Sequence, residues 1–130
     1  MLHCIIVTPE RTVRDCQAEF VALPLYDGEL GVAPRHAPLI GRLGAGEMRI
    51  GRDGRLGRFY VEGGFVEVLG DVVSVLTPRA IPAEELDPAV AEEQLLSVRL
   101  RPARSAEEIS LRQRLSDQCR AQLRVSRRAR

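Results

Sequence analysis

The sequence predicts an α+β fold, an N-terminal β-sandwich over residues 1–84 followed by a C-terminal antiparallel helical hairpin over residues 85–130. Three observations carry that expectation. From Leu2 to about Thr77, short apolar segments rich in β-branched residues are punctuated by Gly, Pro and Asp at the spacing of strands and turns. At Thr77 the period changes, and Ala89 to Leu100 contains neither glycine nor proline. Two helix-start signals, Asp87-Pro88 and Ser105-Ala106-Glu107-Glu108, then follow within twenty residues or so.

Taken in order, Leu2 to Thr8 is a β-branched run closed by Pro9, and Ala18 to Leu23 is a second run closed by Pro24. Met48-Arg49-Ile50 and Arg58-Phe59-Tyr60-Val61 flank Asp53-Gly54, a turn dipeptide that predicts a hairpin tip. Gly63-Gly64 and Gly70-Asp71 are expected to mark the next two reversals, leading to a strand at Val72–Leu76. Gly41 to Gly46 is glycine-rich without a helix pattern after it, which predicts a turn region and not a phosphate-binding loop.

In the second part, Asp87 is an N-cap and Pro88 suits the first helical position, so a helix is expected from about Asp87 to Arg99, ended by Pro102. Ser105 with Glu108 is a capping box opening a second helix that runs toward Arg128. Leu111, Leu115, Cys119 and Leu123 recur every four residues and draw one narrow apolar stripe, enough to dock against a single neighbour. Helices joined by so short a link pair antiparallel.

The stretch from Tyr26 to Leu39 stands apart. It holds Asp27-Gly28, Glu29, Gly31, Pro34, Arg35, His36 and Pro38, and it is expected to be a stiff surface loop: Asp-Gly turns the chain, and each proline holds the residue before it extended. With no Lys, Ser or Thr it is a poor phosphate cradle, and one His without a neighbouring Cys is a poor metal site. Glu29 and His36 are an acid and a base seven residues apart, but the Gly- and Pro-bearing backbone between them does not fix the two side chains within hydrogen-bond reach and no oxyanion donors accompany them, so no catalytic residue is assigned. His36 is either satisfied by a backbone carbonyl or part of a contact with a partner.

Composition narrows the classes further. The 130 residues are 45% hydrophobic, enough for one core and an appendage. With no Trp, two Tyr and three Phe, the chain lacks the aromatic platforms on which single strands of nucleic acid stack. No apolar run approaches the roughly 20 residues that span a bilayer and no signal core opens the chain, so a cytoplasmic protein is expected. Cys4, Cys16 and Cys119 are odd in number and widely spaced, which predicts reduced thiols and neither disulfide nor zinc. All 19 basic residues are Arg: residues 1–98 hold 9 against 15 acids, residues 99–130 hold 10 against 3. A mildly acidic body thus carries a cationic tail, whose Arg112, Arg114, Arg120, Arg124, Arg127 and Arg128 are either a solvated face or a contact for an acidic partner. Charge alone also allows a small protein that binds nucleic acid or an anionic membrane through this helix.

The order G-E-L-G-V-x-P-x-H-A-P-L from Gly28 to Leu39, with Val61-Glu62-Gly63-Gly64-Phe65-Val66-Glu67-Val68, resembles the epsilon subunit of the bacterial F-type ATP synthase, the delta subunit of the mitochondrial enzyme. Weaker matches at Val7–Glu10, Val73–Leu76 and Ala121–Val125 extend it along the chain. The resemblance implies a non-catalytic rotor subunit, peripheral on the cytoplasmic side of the inner membrane and without a cofactor. Its sandwich would join the gamma subunit to the c-ring through Asp27, Gly28, Glu29, Arg35 and His36. Its helices would extend to present the tail arginines to the catalytic beta subunits and brake ATP hydrolysis. Some members bind ATP as a regulatory ligand through I/L-D-x-x-R-A. Here that segment is Leu86-Asp87-Pro88-Ala89-Val90-Ala91, which keeps Asp87 as a nucleotide contact but puts Val90 at the Arg position, leaving the N-cap reading of Asp87 the stronger.

Overall fold

The computed structural model describes residues 1–128; Arg130 of the cationic tail lies outside them. Eight strands are followed by two helices: β1 (Leu2–Val7), β2 (Thr12–Ala18), β3 (Phe20–Leu25), β4 (Gly28–Val32), β5 (Leu39–Arg52), β6 (Arg55–Leu69), β7 (Val72–Leu76), β8 (Ala80–Pro82), a 3-10 turn at Ala83–Glu85, then α1 (Pro88–Arg99) and α2 (Ala106–Arg128). Hydrogen bonding links the strands in the order β2-β1-β7-β6-β5-β3-β4, with β8 added to β6. All pairs are antiparallel except β1 with β7.

The sandwich is made by one long ribbon that turns over. β5 and β6 stay in a single register from Leu39↔Val68 to Arg52↔Arg55, closed by the expected Asp53-Gly54 turn, where both residues have positive φ. Yet the inward-facing residues change parity on both strands: Leu43 but then Met48 and Ile50 on β5, Phe59 and Val61 but then Val66 and Val68 on β6. The change falls at Gly44 and at Gly63-Gly64, which have φ of +85° and +99°. At Gly64 a Cβ would stand 2.0 Å from the Leu76 carbonyl oxygen, so no other residue fits this corner. One half of the ribbon pairs with β7 and through it β1 and β2; the other pairs with β8, and with β3 and through it β4. The two layers enclose an aliphatic core that includes Leu2, Cys4, Ile6, Val21, Leu23, Met48, Phe59, Val61, Val66, Val73 and Val75, drawn from strands alone.

Several expectations are therefore corrected. Gly41 to Gly46 and Gly63-Gly64 lie inside strands, because glycine here serves the corner and not a reversal. Strand β2 was not foreseen: its alternation is weak because Arg14, Asp15 and Gln17 face solvent, and the true break is at Glu19. Pro24 lies inside β3, opposite Glu29, where the β3–β5 ladder shifts register and no donor is required of it.

The helices match the sequence closely at their starts. Ala89 N–H donates to Asp87 Oδ1 at 2.9 Å, and Glu108 N–H donates to Ser105 Oγ at 3.1 Å. The return arm of the second cap goes to the Arg104 N–H, one residue earlier than a capping box requires. The apolar stripe is revised. Leu111 is exposed, whereas Ser116, Cys119, Ala121, Gln122, Leu123, Val125 and Ser126 are all buried, so α2 buries a broad face over its second half. That face meets the sandwich and α1 together, which one narrow stripe could not do: α2 lies against β5 and β6, and α1 packs on α2.

Candidate functional site

The two outer faces of the sandwich differ, and the difference defines the candidate site. On the half of the ribbon beyond the corner, outward-pointing Tyr60 and Ala45 are covered by Ala121 and Val125 of α2, with Ala83, Leu86 and Ile81 completing a second apolar cluster. Tyr60 is fully buried; its hydroxyl donates to Glu62 Oε1 at 2.9 Å and also meets the Gln122 side chain. Burial, with the Glu62 carboxylate beside it, holds that phenol well above its ordinary pKa, so it stays protonated and serves as a docking group. Beside it a charged chain crosses the sheet. Glu47 receives Arg58 and, at 3.4 Å, Arg49, which also pairs with Glu29; Arg58 Nη1 donates to the Arg128 carbonyl at 2.7 Å.

The outer face of the other layer has no such cover among the described residues. The register aligns Phe65 with Leu76 and Leu76 with Val7, and sets Ile40 beside Glu67 in the next row. Alternation points all of them away from the core. Ile40 is 74% exposed, Phe65 56%, Leu69 56% and Leu76 54%. Scattered apolar residues on a surface need no explanation; exposed apolar residues on three adjacent strands make this face the candidate interaction surface. The sequence hides this face because Phe65 looks like a core residue until the parity change at Gly63-Gly64 is known. A strand that switches faces is invisible to an alternation count.

The residues predicted to meet a partner are dispersed. Asp27 is exposed in the turn between β3 and β4 and Gly28 opens β4, so five residues of the expected loop form a strand. Arg35 and His36 lie beyond the far end of β4, about 16 Å away for five extended residues. Glu29 faces neither group, being paired with Arg49. Arg35 has φ of 66° and donates its backbone N–H to Asp71 Oδ1 at 2.7 Å, pinning the 33–38 connection to the β6–β7 turn. His36 Nδ1 lies 2.7 Å from the Ala37 carbonyl, which satisfies the ring locally. Next to Asp27 in the same turn, Tyr26 stacks under the Arg42 guanidinium at 5.7 Å.

The tail arginines are also divided. Arg112 Nη1 donates to the Arg101 carbonyl at 3.1 Å and closes the helical hairpin. Arg120 pairs with Asp117 at 3.6 Å, and Arg127 with Glu92 of α1 at 4.0 Å, an antiparallel cross-link. Arg128 reaches Glu47 at 4.0 Å. Arg114 borders the cleft between α2 and the sandwich, and Arg124 lies exposed near Glu47. Asp87 is occupied as the α1 cap, and Val90, at the position where an arginine would be needed, is exposed.

Among the described residues, the candidate site brings together no nucleophile with an acid–base partner. Burial pushes the Cys4 thiol up to about 12 and also raises Cys119, so neither is a nucleophile near neutral pH. No helix among the described residues is long and apolar enough to cross a membrane.

Comparison with known proteins fits this geometry. The profile of the ATP synthase delta/epsilon chain beta-sandwich domain matches residues 1–83. The chain is 45% identical over 126 residues to the ATP synthase epsilon chain of Rhodopirellula baltica, spanning 97% of this chain and 98% of that one. It is 48% identical over 87 residues to the epsilon chain of Pelotomaculum thermopropionicum, 67% of this chain and 65% of that one. Among solved structures, a chain of the Tetrahymena thermophila mitochondrial ATP synthase central stalk and c-ring aligns with a TM-score of 0.76 at 11% identity, covering 96% of each chain. A chain of the Euglena gracilis mitochondrial ATP synthase aligns at 0.75 and 19% identity, over 94% of this chain and 74% of that one. At those identities the structural matches speak for the fold.

Proposed function

The chain belongs to the ATP synthase delta/epsilon family, as a non-catalytic epsilon-type subunit, and from that premise we propose that it joins the gamma subunit to the c-ring in the rotor. The observation that carries this reading is the uncovered apolar face of Ile40, Phe65, Leu69 and Leu76, which no segment of this chain covers among the described residues. A stalk subunit laid on that face would bury it, with Glu67 and Ser74 supplying polar contacts within it. The turn at Asp27-Gly28 and the connection holding Arg35 and His36 stand at opposite ends of β4, and we assign them to the rim of the same attachment, toward the c-ring. Membrane association would be peripheral, through the complex, on the cytoplasmic side.

Residues 1–84 form the attachment unit in this reading, since their core draws on strands alone; a chain ending at Glu84 then unfolds cooperatively in urea. Residues 85–130 form a regulatory unit whose Arg112, Arg114, Arg120, Arg124, Arg127 and Arg128, once released, meet an acidic surface of the catalytic beta subunits and slow ATP hydrolysis. ATP is not assigned a site, because Asp87 is committed to its cap and no arginine stands at position 90.

The test is co-purification with solubilised ATP synthase. Ile40→Ser, Phe65→Ser and Leu76→Ser together should remove the chain from the complex while it remains folded alone. Undiminished attachment of that variant would sink the assignment of this face.

A further inference from the structure

Glu47 is 6% exposed at its side chain, yet it faces three guanidinium groups, those of Arg49, Arg58 and Arg128. Two come from the sheet and one from the last turn of α2. A carboxylate so deeply placed is costly without partners; Arg49 and Arg58 supply its hydrogen bonds, and Arg128 adds an ion pair at 4.0 Å from a largely exposed side chain. We propose that Glu47 and Arg58 form a receptor for the C-terminal turn of α2, and that its occupancy sets the fraction of molecules with the helix docked. This goes beyond the rotor reading, because it concerns the isolated chain and holds whatever the released helix meets.

The chemistry of the receptor is two-sided. The last carbonyls of a helix have no intrahelical donor and carry the negative end of its dipole. Arg58, only 18% exposed, supplies a donor to one of them, the Arg128 carbonyl at 2.7 Å. Glu47 supplies the opposite charge to the guanidinium of the same residue at 4.0 Å. The pair thus recognises a helix end and its arginine together, which an exposed salt bridge on the side of a helix does not.

The position of the receptor gives it leverage. All buried residues of α2 lie from Ser116 to Ser126, whereas its first turns stand off the sandwich across a cavity of about 630 Å³ bordered by Tyr26, Arg42, Glu62, Ile109 and Arg114. Docking is therefore concentrated in the half of the helix that the receptor holds. When the helix leaves, Arg49 and Arg58 still neutralise Glu47, and Glu29 holds Arg49. The receptor persists preformed, so redocking requires little reordering.

Hydrogen exchange on the full chain alone tests this. Glu47→Gln keeps the side-chain shape and removes the charge, and it should speed exchange of amides 119–128 by about tenfold while leaving β1 and β7 unchanged. Arg128→Gln should speed the same amides several-fold in the native background and by less than about twofold in the Glu47→Gln background, since coupled partners are not additive. Native exchange in Glu47→Gln, or equal effects of Arg128→Gln in both backgrounds, would overturn the proposal. Should Glu47→Gln unfold the strands, Arg128→Gln and Arg120→Gln decide instead, since Arg120 pairs, among the described residues, only with Asp117 of its own helix. The receptor requires faster exchange from the first alone, and equal exchange from both would reject it. Co-purification with the complex, measured separately, reports on the rotor reading and not on the receptor.

Discussion

The two outer faces of the sandwich are made from the same ribbon, and only one is covered. On the covered side Tyr60, Ala45 and Ile81 find Ala121 and Val125 within the chain. On the other side Phe65 and Leu76 have similar apolar character and remain more than half exposed. The difference separates residues that hold the molecule together from residues that are available to another molecule. Apolar surface that folding requires ends up buried; apolar surface left open across adjacent strands is what the proposed attachment would cover.

The largest expected effect comes from abolishing the distinction between the faces. Gly64→Ala would force a Cβ onto the Leu76 carbonyl at a φ that disfavours any side chain, and it should cost about 3 kcal/mol or more in urea unfolding. A shift under about 1 kcal/mol would mean the corner relaxes freely. Next is the covered face: Tyr60→Ala removes a fully buried ring and its bonds to Glu62 and Gln122, and should cost about 3 kcal/mol. Hydrogen exchange in that variant should rise first in α2, and a uniform rise would show that the helices and sandwich unfold as one. Asp87→Ala, which removes the α1 cap, should cost about 1 kcal/mol and leave ATP titration by calorimetry unchanged from the native chain. The smallest effect on stability belongs to the open face. Phe65→Ser and Leu76→Ser should each move stability by no more than about 0.5 kcal/mol, and a loss like that of Tyr60→Ala would show that this face is part of the fold.

Local signals were legible where a few neighbouring residues settle the conformation. The Asp53-Gly54 turn, the Asp87 cap with Pro88, and the Ser105 start of α2 all stand where the sequence puts them. The candidate site was less legible. Asp27, Glu29, Arg35 and His36 are neighbours in sequence, and β4 carries them apart; the six tail arginines are alike in sequence, and only Arg128 pairs with Glu47.

By itself the sequence determined the fold class, the helix boundaries, the aliphatic core and the division between an acidic body and an arginine-rich end, because each follows from propensity, capping and composition read over short windows. The tertiary structure alone decided which side of each strand faces the core, and hence which apolar residues are open. A face change at Gly44 and Gly63-Gly64 preserves every local preference while reversing inside and outside for the residues that follow. It also decided the fate of the charges, since Glu47 and Arg128 are 81 positions apart and meet only because α2 lies back across β5 and β6. Pairings of that range depend on packing between elements, which no window along the chain contains.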